Sequence, residues 1–151
     1  MSASNQFESD ILLLLLNNVA IANIGDAAGL RASTTAGSVF VALHSADPAE
    51  TGNQSTNELS YTGYSRVAVA RSAGGWTISG TAPTQAANAA AVTFGACTAG
   101  PVTATHFSVG YQVSGATPII ISGALAASLA ITAAPSVTPN FPIGTLIGTC
   151  D

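Results

Sequence analysis

The sequence predicts a mainly β chain, an antiparallel β-sandwich or jelly-roll-like barrel carrying one N-terminal α-helix. Three observations lead there. One apolar run has helical spacing, and it lies near the start. Beyond Gly25, short stretches of alternating apolar residues recur between Gly, Pro, Ser and Thr clusters. Those breaks fall at intervals of roughly 8–14 residues, which suits sandwiches and barrels better than alternating β and α units. A chain of 151 residues suits one domain and hides roughly 68–70% of its extended surface on folding. Residues 1–24 are therefore expected to form a helix packed on the domain, and residues 25–151 a single β-sandwich domain.

The helix is expected over residues 6–23. Ser4 or Asn5 can cap it, and Glu8 and Asp10 lie in the first turns, where the helix dipole favours acids. Phe7, Ile11, Leu14 and Leu15 follow the i, i+4, i+7, i+8 spacing of a buried stripe. Leu12, Leu13 and Leu16 spread apolar surface around the rest of the cylinder, more than one sheet face covers, so a partner subunit or a long loop is expected there. The leucine run does not read as a targeting or spanning segment. Its leader is acidic, Asn17 and Asn18 interrupt it, and a spanning helix needs about 20 apolar residues.

Residues 25–37 read as a loop or ragged edge. Val39, Val41 and Leu43 then alternate with Phe40, Ala42 and His44 in a period-two strand. It stops at Asp47-Pro48, and residues 46–63 form a polar connection of about 18 residues, a length that in compact domains goes with function or mobility. Residues 64–71 alternate as a strand that places Arg66 and Arg71 on opposite faces. Gly74-Gly75 marks a tight turn, with a returning strand at 76–79. The Ala-rich segment 81–91 reads as a short helix. Strands are expected at 92–94, 105–111, 118–125, 128–132 and 143–149.

Composition narrows the function more by exclusion than by indication. Charged residues make up 7% of the chain, lysine is absent, and the three arginines stand against seven acids for a net charge of −4. Nucleic-acid binders and polybasic membrane modules need clustered cations, so neither a nucleic acid nor a membrane is expected as partner. An uncharged surface fits a protein packed against other proteins. No nucleophile elbow, phosphate loop or dinucleotide fingerprint occurs, and neither a catalytic residue nor a cofactor is expected. His44 and His106 read as partly buried strand residues; a hydrolase site around His44 and Asp47 is the weakest reading. Asp47, Glu50 and Glu58 share a loop but lack the order of a calcium loop, so no metal is expected. Cys97 and Cys150 read as buried or terminal thiols, with a bond between them the alternative. Trp76 is expected in the core, and Arg66 and Arg71 are each expected to pair with Glu58 or with an acid on a partner, as weak, orienting surface contacts.

The segment 41–48 (Val-Ala-Leu-His-Ser-Ala-Asp-Pro), then Thr51-Gly52-Asn53-Gln54, Asn57-Glu58-Leu59 and 61–69 (Tyr-Thr-Gly-Tyr-Ser-Arg-Val-Ala-Val), resembles small virion proteins of tailed bacteriophages. Residues 105–110, 121–125 and 139–144 are similar to the same proteins, so the likeness spans roughly residues 37–149. The resemblance implies a head cement or decoration protein, or a tail-fibre-like component, and supplies no catalytic residue. The expected role is a cement protein on the outer surface of the head, made in the host cytoplasm. Its expected partners are the major capsid protein and further copies of itself. A tail or tail-fibre component engaged in host binding is the alternative. Residues expected at a protein interface are Leu12, Leu13, Leu16, Arg31, Asp47, Glu58, Tyr61, Tyr64, Arg66 and Arg71.

Overall fold

The computed structural model describes residues 3–150 apart from residues 23, 26–28 and 82 and the Cys150 side chain. It contains one helix, α1 (Asn5–Asn17), followed by β1 (Ser38–His44), β2 (Val67–Ala70), β3 (Trp76–Ser79), β4 (Thr84–Asn88), β5 (Val92–Thr93), β6 (Val102–Gly110), β7 (Ile119–Ile131), β8 (Asn140–Phe141) and β9 (Ile147–Cys150). The chain is mainly β with one N-terminal helix, and its paired strands run antiparallel. Contacts gather into two compact units. The first takes residues 1–38, 70–91 and 142–151, the second residues 39–69 and 92–141.

In the first unit α1 packs on the sheet β3-β4-β9. Ser4 caps the helix, its hydroxyl accepting the Phe7 N–H. The helix ends at Asn17, short of the expected 23, because Asn18 turns left-handed. Asn18 then exchanges two 2.8 Å hydrogen bonds with the Ser33 backbone. The buried stripe is Glu8, Leu12 and Leu16, not the expected Phe7, Ile11, Leu14 and Leu15. A hydrogen bond explains the rotation: the Thr84 hydroxyl on β4 donates to the Glu8 carboxylate at 3.2 Å, drawing that face toward the sheet. Leu12 and Leu16, read as surplus apolar surface, are covered by the unit's own core, while Phe7 is 45% exposed. Leu13 is half-buried.

Two further expectations change here. The segment 81–91 is not helical: Thr84, Ala86 and Asn88 are buried alternately, and β4 is the central strand between β3 and β9. Its helix propensity yields to pairing on both edges. The last strand lies at Ile147–Cys150 rather than 143–149, since Gly144 and Leu146 are first tied to Asn88. Trp76 is fully buried, as expected.

The second unit carries the sheet β2-β1-β6-β7 and the small ladder β5-β8. The two are layered through aromatic rings. Phe107 on β6 meets Phe141 on β8 edge-on at 5.6 Å, and Phe94 lies 6.4 Å from Phe141 and stacks on Tyr64 at 6.0 Å. Strand β2 is shorter than the expected 64–71, because the backbone turns on either side of it, Tyr64 N–H bonding to Tyr61 O and Ser72 N–H to Ala70 O, each at 2.9 Å. The expected strands 118–125 and 128–132 are one strand, β7, with an irregularity between them. Ala104 pairs with Leu129 but His106 with Ala124, so residues 125–128 bulge opposite Thr105.

Candidate functional site

The connection 46–63 is built from local turns. The Asp47 carboxylate accepts the Ala49 N–H at 2.9 Å and the Asn53 carboxamide accepts the Ser55 N–H at 2.9 Å. Both are side-chain turns of the kind Asp and Asn favour. The Asn57 amide reaches back to the Asp47 carbonyl, and Leu59 N–H returns to Leu43 O at 2.9 Å. The segment is thus a compact loop folded over the end of β1, with Gln54 and Leu59 buried. Asp47 is exposed and holds its own turn, while Glu58 points at Arg66.

Arg66 is the hub. Its side chain is 2% exposed, and Nε and Nη2 donate to the two Glu58 carboxylate oxygens at 2.7 Å each, a bidentate pair. Nη1 donates to the Gln112 carbonyl at 3.1 Å and to Gln54 Oε1 at 3.2 Å, and Nη2 to the Gly115 carbonyl at 2.8 Å. The Ser55 and Thr117 hydroxyls complete the set at 3.4 and 3.5 Å. One guanidinium therefore fastens the 46–63 loop to the β6–β7 connection. The expected surface pair is buried at Arg66 and half-buried at Glu58, whose side chain is 18% exposed. The Glu58 hydrogen bond holds the Arg66 guanidinium charged above its ordinary range, against the opposing effect of burial. Tyr64 joins by donating to Glu58 at 3.0 Å while accepting the Leu43 N–H at 3.1 Å. Burial, chiefly, pushes its phenol well above the usual tyrosine range.

A second chain of hydrogen bonds runs inward from Gln54. Its Nε2 donates to the Phe40 carbonyl at 2.9 Å and to the Ser108 hydroxyl at 3.3 Å, and its Oε1 accepts from Thr117 and Arg66. Ser108 lies 2.8 Å from His44 Nε2, and His44 Nδ1 lies 2.8 Å from the Thr56 carbonyl. The carbonyl only accepts, so Nδ1 carries a proton, and in the neutral ring that burial favours, Nε2 accepts from Ser108. Burial lowers the His44 pKa; the Thr56 bond and the Glu58 charge oppose this in part, and Arg66 and His106 reinforce it. A serine and a histidine at this spacing resemble a nucleophile and its base. Both are fully buried, however, so no substrate atom reaches either, and the pair works as a structural relay. Gly110 makes room for it: any Cβ there would run into the Gln54 carboxamide.

An open groove of about 490 Å³ adjoins this network, lined by Glu58, Tyr64 and Arg66 together with Ser55, Val113 and Ser114. Val113 and the nearby Tyr111 are 60% and 50% exposed. Arg66 bonds to groove-lining residues from both segments, Ser55 and Glu58 on one and Gly115 on the other.

The expected interface residues divide between the units. Asp47, Glu58, Tyr61, Tyr64 and Arg66 belong to the second, where Tyr61 is buried, donates to the Gly95 carbonyl at 2.9 Å and packs edge-on against Tyr64 at 5.3 Å. Leu12, Leu13, Leu16, Arg31 and Arg71 belong to the first. Arg31 is exposed. Arg71 donates to the Leu15 and Leu14 carbonyls at 2.6 and 2.7 Å and to Ala36 O at 3.0 Å, neutralising the C-terminal end of α1. Sequence reasoning missed Gln54, Ser108 and Thr117. Only Gln54 left a signal, as a member of the Thr51–Gln54 motif. Cys97 is a buried free thiol, and the Cys150 side chain, needed for the paired alternative, lies outside the described residues.

The model of the family described as podophage GP4 fiber I protein gp80 matches residues 2–149. No curated protein matches the chain. The family match sides with the tail-fibre alternative and gives no support to the head-cement reading. No described helix is long and apolar enough to cross a membrane. The chain belongs to the family of the podophage GP4 fiber I protein gp80, and is a phage virion structural protein of the tail-fibre-like kind.

Proposed function

We propose that the chain is a structural subunit of a phage tail fibre that works by contact and without turnover. The observation that carries this reading is the family match across residues 2–149. Two observations support it: His44 and Ser108 are buried and bonded to each other, and buried Arg66 is tied to them through Gln54. What the network accomplishes is rigidity. It fixes the 46–63 loop and the β6–β7 connection as a firm, weakly charged platform on which a neighbouring tail protein, or the host surface, is contacted. Burying such a surface avoids the desolvation cost that unpaired ions impose.

The test is location. Antibody or gold label directed at this chain on intact virions, viewed by electron microscopy, is expected on fibres at the tail. Label confined to the head shell overturns the proposal and returns the decoration reading with the major capsid protein as partner.

A further inference from the structure

We infer that Ser108 and Gln54 join in an intramolecular ester: the Ser108 hydroxyl displaces ammonia from the Gln54 carboxamide, with His44 as the base, and ties the 46–63 loop to β6 by a covalent bond. The event occurs once per chain, as a self-modification rather than a turnover. It does not depend on the fibre reading.

No molecule from solution reaches Ser108 and His44, but an electrophile of the chain itself lies beside them. Ser108 Oγ is 2.8 Å from His44 Nε2 and 3.3 Å from the nitrogen of the Gln54 carboxamide. The Thr56 carbonyl accepts the His44 Nδ1 proton at 2.8 Å, which leaves Nε2 facing the hydroxyl as an acceptor. The partners of Gln54 fix which way round its carboxamide lies. Arg66 only donates and the Phe40 carbonyl only accepts, so the oxygen faces Arg66 and the nitrogen faces Phe40. The oxygen therefore sits between two donors, Arg66 Nη1 at 3.2 Å and the Thr117 hydroxyl at 3.0 Å. Donors so placed stabilise the negative charge that develops on an attacked carbonyl, and here one of them is a cation. On another side Gly110 lies against the same carboxamide, in space that any Cβ would take.

The step balances without a co-reactant. Ser108 Oγ attacks Gln54 Cδ while its proton passes to His44 Nε2, and the carbonyl electron pair moves onto Oε1, between Arg66 and Thr117. The carbon–nitrogen bond then breaks, His44 returns the proton to the departing nitrogen, and ammonia leaves. A C–O bond replaces a C–N bond, and nothing is oxidised or reduced. In the resting fold Oγ meets the N–H of the carboxamide, so a turn about the Gln54 Cγ–Cδ bond brings the carbonyl carbon round to it; such contacts often tighten only in the reacting state. Two features favour the ester over the amide. The fold holds both reactants in place, and well-oriented intramolecular pairs reach effective concentrations of about 10⁵–10⁸ M. Released ammonia is diluted and protonated outside, whereas His44, Gln54 and Ser108 are fully buried, so water has little access to cleave the ester.

The experiment is mass spectrometry of the purified full chain, kept folded for several days near pH 8 and then denatured. The linked chain is expected to weigh about 17 Da less than its sequence, the mass of one ammonia. Trypsin locates the bond. Lysine is absent and the arginines are Arg31, Arg66 and Arg71, so Gln54 falls in peptide 32–66 and Ser108 in peptide 72–151. These peptides are expected to travel as one species, which hydroxylamine separates because it cleaves esters and spares amides. Ser108→Ala is expected to keep the full mass and release the peptides singly. His44→Gln is expected to link at least about 100-fold more slowly, and the wild-type rate to fall about tenfold per pH unit once His44 is protonated. Melting curves check that both variants are folded, and the wild-type digest decides the matter even where a variant is not. A wild type that keeps its full mass and yields separate peptides overturns the inference. So does a link that survives in Ser108→Ala, or a gain of about 1 Da at Gln54, the mark of attack by water instead of Ser108.

Discussion

Replacing Arg66 with alanine removes the donors that join two loops. Glu58 is left with the Tyr64 hydroxyl, and the carbonyls of Gln112 and Gly115 lose their bonds to the guanidinium. Breaking a buried ion pair from one side costs about 3–5 kcal/mol, because an uncompensated charge stays behind. For a chain of this size, each kcal/mol moves the melting temperature by about 2–4 °C, so the expected fall is about 6–20 °C. Glu58→Ala leaves the guanidinium buried with neutral acceptors only, and its cost falls in the same range. The double variant Arg66→Ala/Glu58→Ala leaves no stranded charge and is expected to cost clearly less than the two single costs added together. Calorimetric melting of all four proteins closes the cycle. Limited proteolysis reports the mechanism, since Arg66→Ala is expected to open residues 111–118 to cleavage while the wild type resists. Added salt is expected to leave the wild-type melt nearly unchanged, because a buried pair is poorly screened. Single variants that melt within about 2 °C of the wild type, or strictly additive costs, would refute the account of Arg66 as a fastener.

His44 has its pKa lowered in the fold by burial, so the unfolded chain binds a proton first as pH falls. Stability is expected to be full above about pH 6.5 and to decline below it, by up to about 1.4 kcal/mol per pH unit until the folded-state pKa is reached; melting between pH 8 and 5 checks this, and a His44→Gln variant should show a flatter profile. Gly110→Ala is expected to destabilise by about 1–3 kcal/mol through its collision with Gln54, and Gln54→Ala should suppress most of that penalty when the two are combined, as urea unfolding would show. The Trp76 indole N–H is buried without a partner among the described residues, so Trp76→Phe sheds an unmet donor. It is expected to cost less than about 1.5 kcal/mol, against about 3–5 for Trp76→Ala, measured by the same unfolding.

Local signals in the sequence located much of this fold. The Gly74-Gly75 turn, the strand at Trp76, the end of β1 near His44 and the Ser4 cap each follow from residues within a few positions of one another. What could not be read locally was decided by partners far along the chain. Thr84, 76 residues from Glu8 in sequence, rotates α1 so that an acid joins the buried face. Strand β4 overrides an Ala-rich composition because β3 and β9 pair with it on both sides. Arg66 looked like a surface cation because two of its acceptors are backbone carbonyls, at Gln112 and Gly115, which carry no side-chain signature. Glu58 was legible as one of several possible partners for Arg66 or Arg71; the choice of Arg66 and its burial were not.

The first unit is assembled from the beginning, the middle and the end of the chain, and this sets a timetable for its folding. The helix is made first, but its sheet is completed only when β9 arrives, some 130 residues later. At about 5–20 residues per second, the gap is roughly 6–26 s. The second unit, by contrast, has all its strands once Phe141 has been synthesised. During the wait the leucine face of α1 lacks its finished cover. Nascent chains stalled before residue 147 are therefore the species in which chaperone capture or early aggregation would concentrate.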